Sequence, residues 1–185
     1  MNDVLKAIHN RRSLRQFGPE QIKDAELFAI LEAGLAAPSG HGDQPWYFSV
    51  VQNRDILKEI SDGSKRVMQK TGIDWIVNAG KNENYNIFYN APTAVIVAAR
   101  KDAVTPLADV CAAIQNMLIA AESFNIGSCW IGFAKFYFLD GKNHQKMGIP
   151  EGCEVYFAVT LGYKPDGFKP TPRQKKYASY YQVIK

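Results

Sequence analysis

Apolar residues cover nearly the whole helical wheel of residues 108–124. They are Val110, Ala113, Ile114, Met117, Leu118, Ile119, Ala120, Ala121 and Phe124, interrupted only by Asp109, Gln115, Asn116, Glu122 and Ser123. A helix that is apolar almost all round belongs in a domain core or a subunit interface, not on a surface. Pro106 suits its first turn, and Asn125 to Gly127 suit a left-handed cap at its end. Residues 128–131 then enter another buried element that stops at Gly132. Glycine permits close approach of a backbone to a ligand. The pattern therefore predicts a buried central helix that delivers a glycine-bounded loop to a site.

The other elements are arranged around it. Asp3 is positioned to cap a short helix over residues 4–10, with Val4, Leu5 and Ile8 on one face. A second helix starts at residues 23–26 and runs through Leu35, ending before Pro38. Residues 46–51 and 93–99 are dense apolar runs, hence buried strands, as are residues 154–163. A helix opening at residues 52–55 and reaching to about 71 carries the stripe Ile56, Leu57, Ile60 and Val67. Residues 133–140 are aromatic and short, and residues 141–148 form a small helix or turn. Residues 72–89 mix Trp75, Tyr85, Phe88 and Tyr89 with asparagines and Gly80. They read as irregular, either a substrate lid or a connection whose aromatics pack on the core. Helices alternating with apolar strands predict a two-layer or three-layer α/β sheet.

Composition narrows the class. The 185 residues are 46% hydrophobic and 22% charged, as in an ordinary globular domain. No apolar run approaches the roughly 20 residues of a membrane span, and the N-terminus has no signal-peptide pattern. Three scattered cysteines argue against a disulfide framework and for a reducing cytoplasm. Three distant histidines and no C-x-x-C pair predict no metal site. The net charge of +4 sits in the tail. Residues 164–185 hold six basic residues against one acidic, a balance of +5, so the first 163 residues carry −1. Such a tail suits a nucleic-acid surface, an arm reaching an anionic cofactor or a solvated terminus. With no nucleic-acid motif and a slightly acidic domain, nucleic acid is not the expected partner.

Candidate chemistry is concentrated in three places. Arg11, Arg12, Ser13 and Arg15 bring guanidinium forks and a hydroxyl together just after a helix, a phosphate clamp or a solvated charge cluster. The loop Ala37-Pro38-Ser39-Gly40-His41-Gly42-Asp43-Gln44-Pro45-Trp46 has backbone amides that could face a ligand. Its His41 is either a general acid or simply exposed. The third place is Gly132. No G-x-G-x-x-G, phosphate-binding lysine loop or G-x-S-x-G is present, and no side chain reads as a nucleophile.

Five separated pieces together resemble one family, the FMN-dependent nitroreductases. They are Arg11-Arg12-Ser13-Leu14-Arg15-Gln16-Phe17; Ala37-Pro38-Ser39 with Gln44-Pro45-Trp46-Tyr47-Phe48; Asn90-Ala91-Pro92 before an apolar strand; Gln115-Asn116-Met117-Leu118 leading to Gly127-Ser128-Cys129-Trp130-Ile131-Gly132; and Leu161-Gly162-Tyr163 with Thr171-Pro172-Arg173-Gln174-Lys175. The match covers essentially the whole chain in order. The resemblance implies a three-layer α+β fold with a mostly antiparallel sheet flanked by helices. It implies a domain over residues 1–163 and an arm over residues 164–185 that docks on the partner subunit, the tail being exchanged in an obligate homodimer.

The same resemblance implies the site and the activity. Arg11, Ser13 and Arg15 would hold the FMN phosphate and ribityl chain, with Arg12 in the same run and Arg173 and Lys175 completing the clamp. Pro38, Ser39 and Gly40 of one subunit would pack on the flavin ring, and Ile131 and Gly132 would present a backbone N–H to it. NADH or NADPH would reduce the flavin, which would then reduce a nitroaromatic, a quinone or a similar flat acceptor by ping-pong turnover. A specialised flavin reductase or dehalogenase, and a non-catalytic FMN-binding protein, are the alternatives. This chain departs from the family pattern in two places. The run after Ser39 makes His41 a pocket candidate, along with Tyr85 and Phe88. Asn84 matches a family asparagine, but the family's lysine position reads Ile87, leaving Lys65, Lys70 and Lys81 as open candidates for the donor to the flavin N1–O2 edge.

Overall fold

The computed structural model describes residues 1–171 and 182–184. Strand β2 (Thr93–Arg100) is buried at every position but its last, and its side chains alternate between two cores. Ala94, Ile96 and Ala98 join Leu57, Ile60, Met68 and Ile76 on one face. Val95, Val97 and Ala99 join Leu27, Ile30, Val110, Ile114 and Met117 on the other. A strand apolar on both faces needs cover on both. Helices α3 (Arg54–Met68) and α4 (Asp74–Lys81) cover the first, and α2 (Asp24–Leu35) and α5 (Pro106–Ser123) the second. The result is three layers, helix on sheet on helix.

The remaining strands are β1 (Trp46–Val51), β3 (Ile126–Ile131) and β4 (Cys153–Tyr163). The sheet order is β1-β2-β4-β3, and every neighbouring pair is antiparallel. Trp46 lies opposite Ala99, Thr93 opposite Leu161, and Ile126 opposite Tyr163. The α/β sheet predicted from the alternation of helices and strands is thereby corrected. A doubly buried strand reports cover on both faces but not the direction of its neighbours. The α+β architecture implied by the family resemblance is the one observed. The proposed exchange of the tail rests on residues that include 172–181, which lie outside the described ones.

Local chemistry sets the boundaries. Helix α1 (Asp3–Asn10) is capped by Asn2, whose side chain accepts from the Leu5 N–H at 2.9 Å, and not by Asp3. Helix α5 starts at Pro106 and is closed by Asn125 in the left-handed region (φ 57°), as its sequence predicts. Helix α4 corrects the irregular reading of residues 72–89. Its asparagines and glycine favour turns, but Ile76 and Gly80 bury against α3, where a Cβ at Gly80 would lie 2.9 Å from the Lys65 carbonyl. Tertiary packing overrides the weak local propensity. After β3 the chain makes a 3₁₀ segment, Phe133–Leu139, and the short α6 (Lys142–Lys146).

The root of the arm is anchored. Lys164 donates to both Glu122 oxygens and to Asn125 in a largely buried cluster at the end of α5. Among the described residues no helix is long and apolar enough to cross a membrane.

Candidate active site

The segment after α1 runs beside β3. Ser13 makes an isolated parallel bridge with Ser128, and the Leu14 N–H donates to the Ser128 carbonyl at 2.9 Å. Leu14 is buried and fills a notch at Gly127, where a Cβ would lie 2.1 Å from Leu14 Cδ2. In an extended segment successive side chains point to opposite sides. With Leu14 turned inward, Ser13 and Arg15 face away from that core.

Arg15 lies with its Cζ 5.7 Å from the centroid of the Tyr89 ring, within cation–π range. Hydrogen bonding to Tyr89 holds its guanidinium charged, raising its pKa against the opposing effect of burial. Beneath sits the buried Cys129 thiol, pushed up by burial and pulled back by Arg15, by a hydrogen bond with Ser13 and by Arg11. At the end of β3, Ile131 is buried while Gly132 is exposed. A Cβ at Gly132 would meet no atom of the chain within 4 Å. Gly132 and Ile131 line a pocket of about 170 Å³ with Tyr85, Ile87, Tyr89, Trp130 and Phe133. The structure thus brings Arg11, Ser13, Arg15, Tyr85, Ile131 and Gly132 to one region.

Arg12 does not belong to that group. Its Nε donates to the Thr171 carbonyl at 2.7 Å, and its Nη1 donates to the carbonyls of His9, Asn10 and Arg11 at 2.7, 3.0 and 2.9 Å. It satisfies carbonyls at the end of α1, which lack helical partners, and ties them to the start of the arm. In this arrangement Arg12 is a strap between the end of α1 and the arm. Phe88 is 1% exposed and packs in the core, where it also borders the cavity along α3. Asn84 is exposed in the turn after α4, its N–H donating to the Asn82 side chain. With Tyr85 it lines a larger cavity of about 630 Å³ along α3. Of Lys65, Lys70 and Lys81, Lys65 lines that cavity and donates to the Glu83 carbonyl. Arg173 and Lys175 lie outside the described residues.

Pro38, Ser39, Gly40 and His41 form a second group. The Gly40 N–H donates to Asp109 Oδ1 at 3.0 Å, and a Cβ at Gly40 would lie 2.3 Å from Thr105 Oγ1. Ser39 Oγ accepts from the Gln44 N–H, and Asp43 from the Val104 N–H. His41 is exposed and left-handed (φ 52°). This loop is therefore fixed to the first turn of α5 and leads into the edge strand β1. Arg12 and Leu14 instead lie by Glu122 and Asn125, at the far end of α5 and beside the opposite edge strand, β3. An 18-residue helix is about 27 Å long. One chain does not bring the two groups together.

Asp109 is a residue whose role sequence reading missed. It is 3% exposed, accepts also from Thr105 Oγ1 at 2.9 Å, and its Oδ2 is buried without a hydrogen-bond partner among the described residues. The signal was an acid in the first turn of an otherwise apolar helix.

The model of the Nitroreductase family matches residues 8–163 of the chain. The chain belongs to the nitroreductase family. A crystal structure of a nitroreductase with bound FMN from Bacteroides fragilis is 35% identical, covers 100% of both chains and superposes with a TM-score of 0.92. A second nitroreductase with bound FMN, from Desulfitobacterium hafniense, is 28% identical over 98% of this chain and 100% of its own, with a TM-score of 0.86. A protein of Archaeoglobus fulgidus, whose name joins NADH dehydrogenase with NAD(P)H nitroreductase, is 33% identical over 90% of this chain and 88% of its own. The family match spans both groups of site residues, the Arg11–Gly132 region and the loop from Pro38 to His41.

Proposed function

We propose that the protein is an FMN-dependent NAD(P)H oxidoreductase. It works as a homodimer and passes electrons from NADH or NADPH to nitroaromatics, quinones or similar flat acceptors in a ping-pong cycle. The observation that carries this reading is the Ser13–Ser128 bridge, which sets Arg11, Ser13 and Arg15 beside the strand ending at Ile131 and Gly132.

The residues fit the cofactor. Gly132 has φ −86° and ψ −26°, a conformation open to any residue, and nothing in the chain crowds its Cβ position. The fold therefore does not require glycine there, whereas a flat ring lying on the backbone does. Guanidinium forks and a hydroxyl match phosphate oxygens. Arg11, Ser13 and Arg15 would hold the phosphate and ribityl chain, joined by Arg173 and Lys175, and Ile131 and Gly132 would lie against the ring. When bound, FMN supplies the hydride and electron transfer. The chain orients it, sets positive charge beside it and keeps water from its Ile131 side. No side-chain acid or base is assigned a catalytic step.

The separation of the two groups supports dimerisation. A pocket of about 170 Å³ is below the roughly 300–1,000 Å³ of small-molecule sites, so a further wall is needed. Pro38, Ser39 and Gly40 of the partner subunit would supply it, with His41 facing the acceptor. Exposed apolar side chains on α1, α2 and α5 (Val4, Leu5, Phe28, Leu35, Leu107) support burial against a second copy. The three free cysteines, two of them buried, suit a reducing cytoplasm. The names of the FMN-bound and NAD(P)H-named relatives support the cofactor and the donor.

The test is the visible spectrum of the purified protein under anaerobic NADH and then NADPH. Flavin bands that bleach with either nucleotide, and return on adding a quinone or a nitroaromatic, are expected. Bands that persist leave a binding protein without this activity. A protein that cannot take up FMN overturns the reading.

A further inference from the structure

The segment between α4 and β2 carries two consecutive left-handed residues, Tyr89 (φ 55°) and Asn90 (φ 57°). Asparagine tolerates this region; tyrosine does so only where its surroundings impose it. Here they do. Ile87 and Phe88 are buried, with Ile87 N–H donating to Ser61 Oγ at 3.1 Å and Phe88 N–H to Asn86 Oδ1 at 2.8 Å. The turn then closes through Tyr89 N–H on the Asn86 carbonyl at 2.9 Å and Ala91 N–H on the Phe88 carbonyl at 3.1 Å. It sets the half-buried Tyr89 ring with its centroid 5.7 Å from the Arg15 guanidinium. Tyr85 meets that ring edge-on, with centroids 5.9 Å apart at 70°. Both tyrosines line the pocket that ends at Gly132.

We propose that Tyr89 is a positioning residue which, braced by Tyr85, holds the Arg15 guanidinium at the Gly132 pocket and so sets how tightly FMN is gripped. Arg15 sits on an extended segment and is itself exposed. A long, flexible side chain loses rotamer freedom on binding, and holding it beforehand reduces that loss. The ring face attracts the guanidinium, the hydroxyl favours its charged form, and the locked turn keeps both in place. The inference rests on the flavin reading above and adds two residues to it.

The experiment is a double-mutant cycle on FMN affinity, read by quenching of FMN fluorescence on titration into apoprotein, with the midpoint potential of the bound flavin as second readout. Tyr89→Leu, which removes ring and hydroxyl, is expected to weaken FMN binding about 10-fold in the native background. In an Arg15→Gln background it is expected to change binding less than about 2-fold. Tyr89→Phe, which keeps the ring and the backbone geometry, is expected to fall between, and Tyr85→Phe to weaken binding about 2- to 3-fold. A shift of the midpoint potential in Tyr89→Leu that vanishes in Arg15→Gln is expected alongside. If Tyr89→Leu weakens FMN equally with and without Arg15, or not at all, while the native protein binds FMN, the positioning role is overturned and the flavin reading stands. A native protein that binds no FMN overturns both.

Discussion

Two glycines five positions apart frame β3, and the structure assigns them opposite reasons for being glycine. At Gly127 a Cβ would lie 2.1 Å from Leu14 Cδ2, 3.1 Å from Cγ and 3.2 Å from Cβ. Carbon atoms pack at about 3.5–4.0 Å, so Leu14 must retreat by roughly 1.5 Å. A rotamer change cannot relieve this, because Cβ and Cγ are crowded as well. Overpacking of this kind costs about 1–3 kcal/mol, and the reduced entropy of the unfolded chain returns about 0.4–1 kcal/mol. The net loss for Gly127→Ala is about 1.5 kcal/mol. At about 2–4 °C per kcal/mol for a chain of this size, the apoprotein Tm falls by roughly 3–6 °C. The displaced Leu14 carries Ser13 and Arg15 with it, so FMN affinity falls too. At Gly132 the chain offers no obstacle. Gly132→Ala leaves apoprotein Tm unchanged or raises it slightly, through the same entropy effect, yet weakens FMN binding at least 10-fold. Apoprotein thermal melts and FMN titrations on both variants decide the matter. A Gly132→Ala protein that binds FMN as the native protein does would refute the ligand explanation. An unshifted Tm in Gly127→Ala would refute the Leu14 notch.

Three further outcomes are expected. Arg12→Ala removes four donations to backbone carbonyls, three of them in exposed surroundings, and should lower stability by about 1 kcal/mol; apoprotein melts measure this, and FMN affinity should fall far less than in Arg11→Ala. Asp109→Ala leaves the Gly40 N–H and the Thr105 hydroxyl without their acceptor, a loss of about 1–3 kcal/mol, whereas Asp109→Asn retains an acceptor oxygen and loses less; denaturant unfolding separates the two. Glu59 is held below its ordinary value of 4.5 by Lys146 and then by the Tyr137 hydroxyl, which burial and then the carboxylate push up to about 12. Its stabilising contribution is therefore complete above pH 4.5 and is lost as the pH falls through the lower folded value. Glu59→Gln should flatten that acid limb in a pH series of melts, and an unchanged limb would assign it to other groups.

The sequence made the layers legible where burial was absolute. Thr93 to Ala99 is such a run, and the apolar wheel of α5 predicted its place, whereas Trp46 to Val51, equally apolar in sequence, is an edge strand that leaves Tyr47 and Val50 exposed. Strand direction was not legible, because cover on both faces is compatible with parallel or antiparallel neighbours. Helix α4 was hidden by residues chosen for packing, Gly80 above all, whose small size serves contact with α3 and mimics a turn signal. In the site, Arg11, Arg12 and Arg15 look alike in a string. Their division of labour arises from the Ser13–Ser128 bridge, which fixes which side each residue faces. Asp109 stood out as an acid in an apolar helix, but its role did not, because its partner, the Gly40 N–H, lies 69 positions away.

The central helix explains why the two groups of site residues can lie so far apart within one chain. Its first turn holds the Gly40 loop through Asp109 and Thr105, and its last turn lies beside the Leu14 segment and the Lys164 anchor. A helix is the most rigid spacer a chain can build from local hydrogen bonds, and at about 27 Å α5 sets the two groups at a fixed separation. In a two-fold dimer each surface meets its own copy in reverse, so the loop at one end of α5 can reach the arginine segment at the far end of the partner's helix. Two equal sites would then form from one repeated spacing. The apolar wheel would serve both demands at once, with one side packed on β2 and β4 and Leu107 and half-buried Ile119 open to a second copy. In such a dimer the length of α5 would carry the site's geometry, and the loops would need only to hold their side chains to its ends.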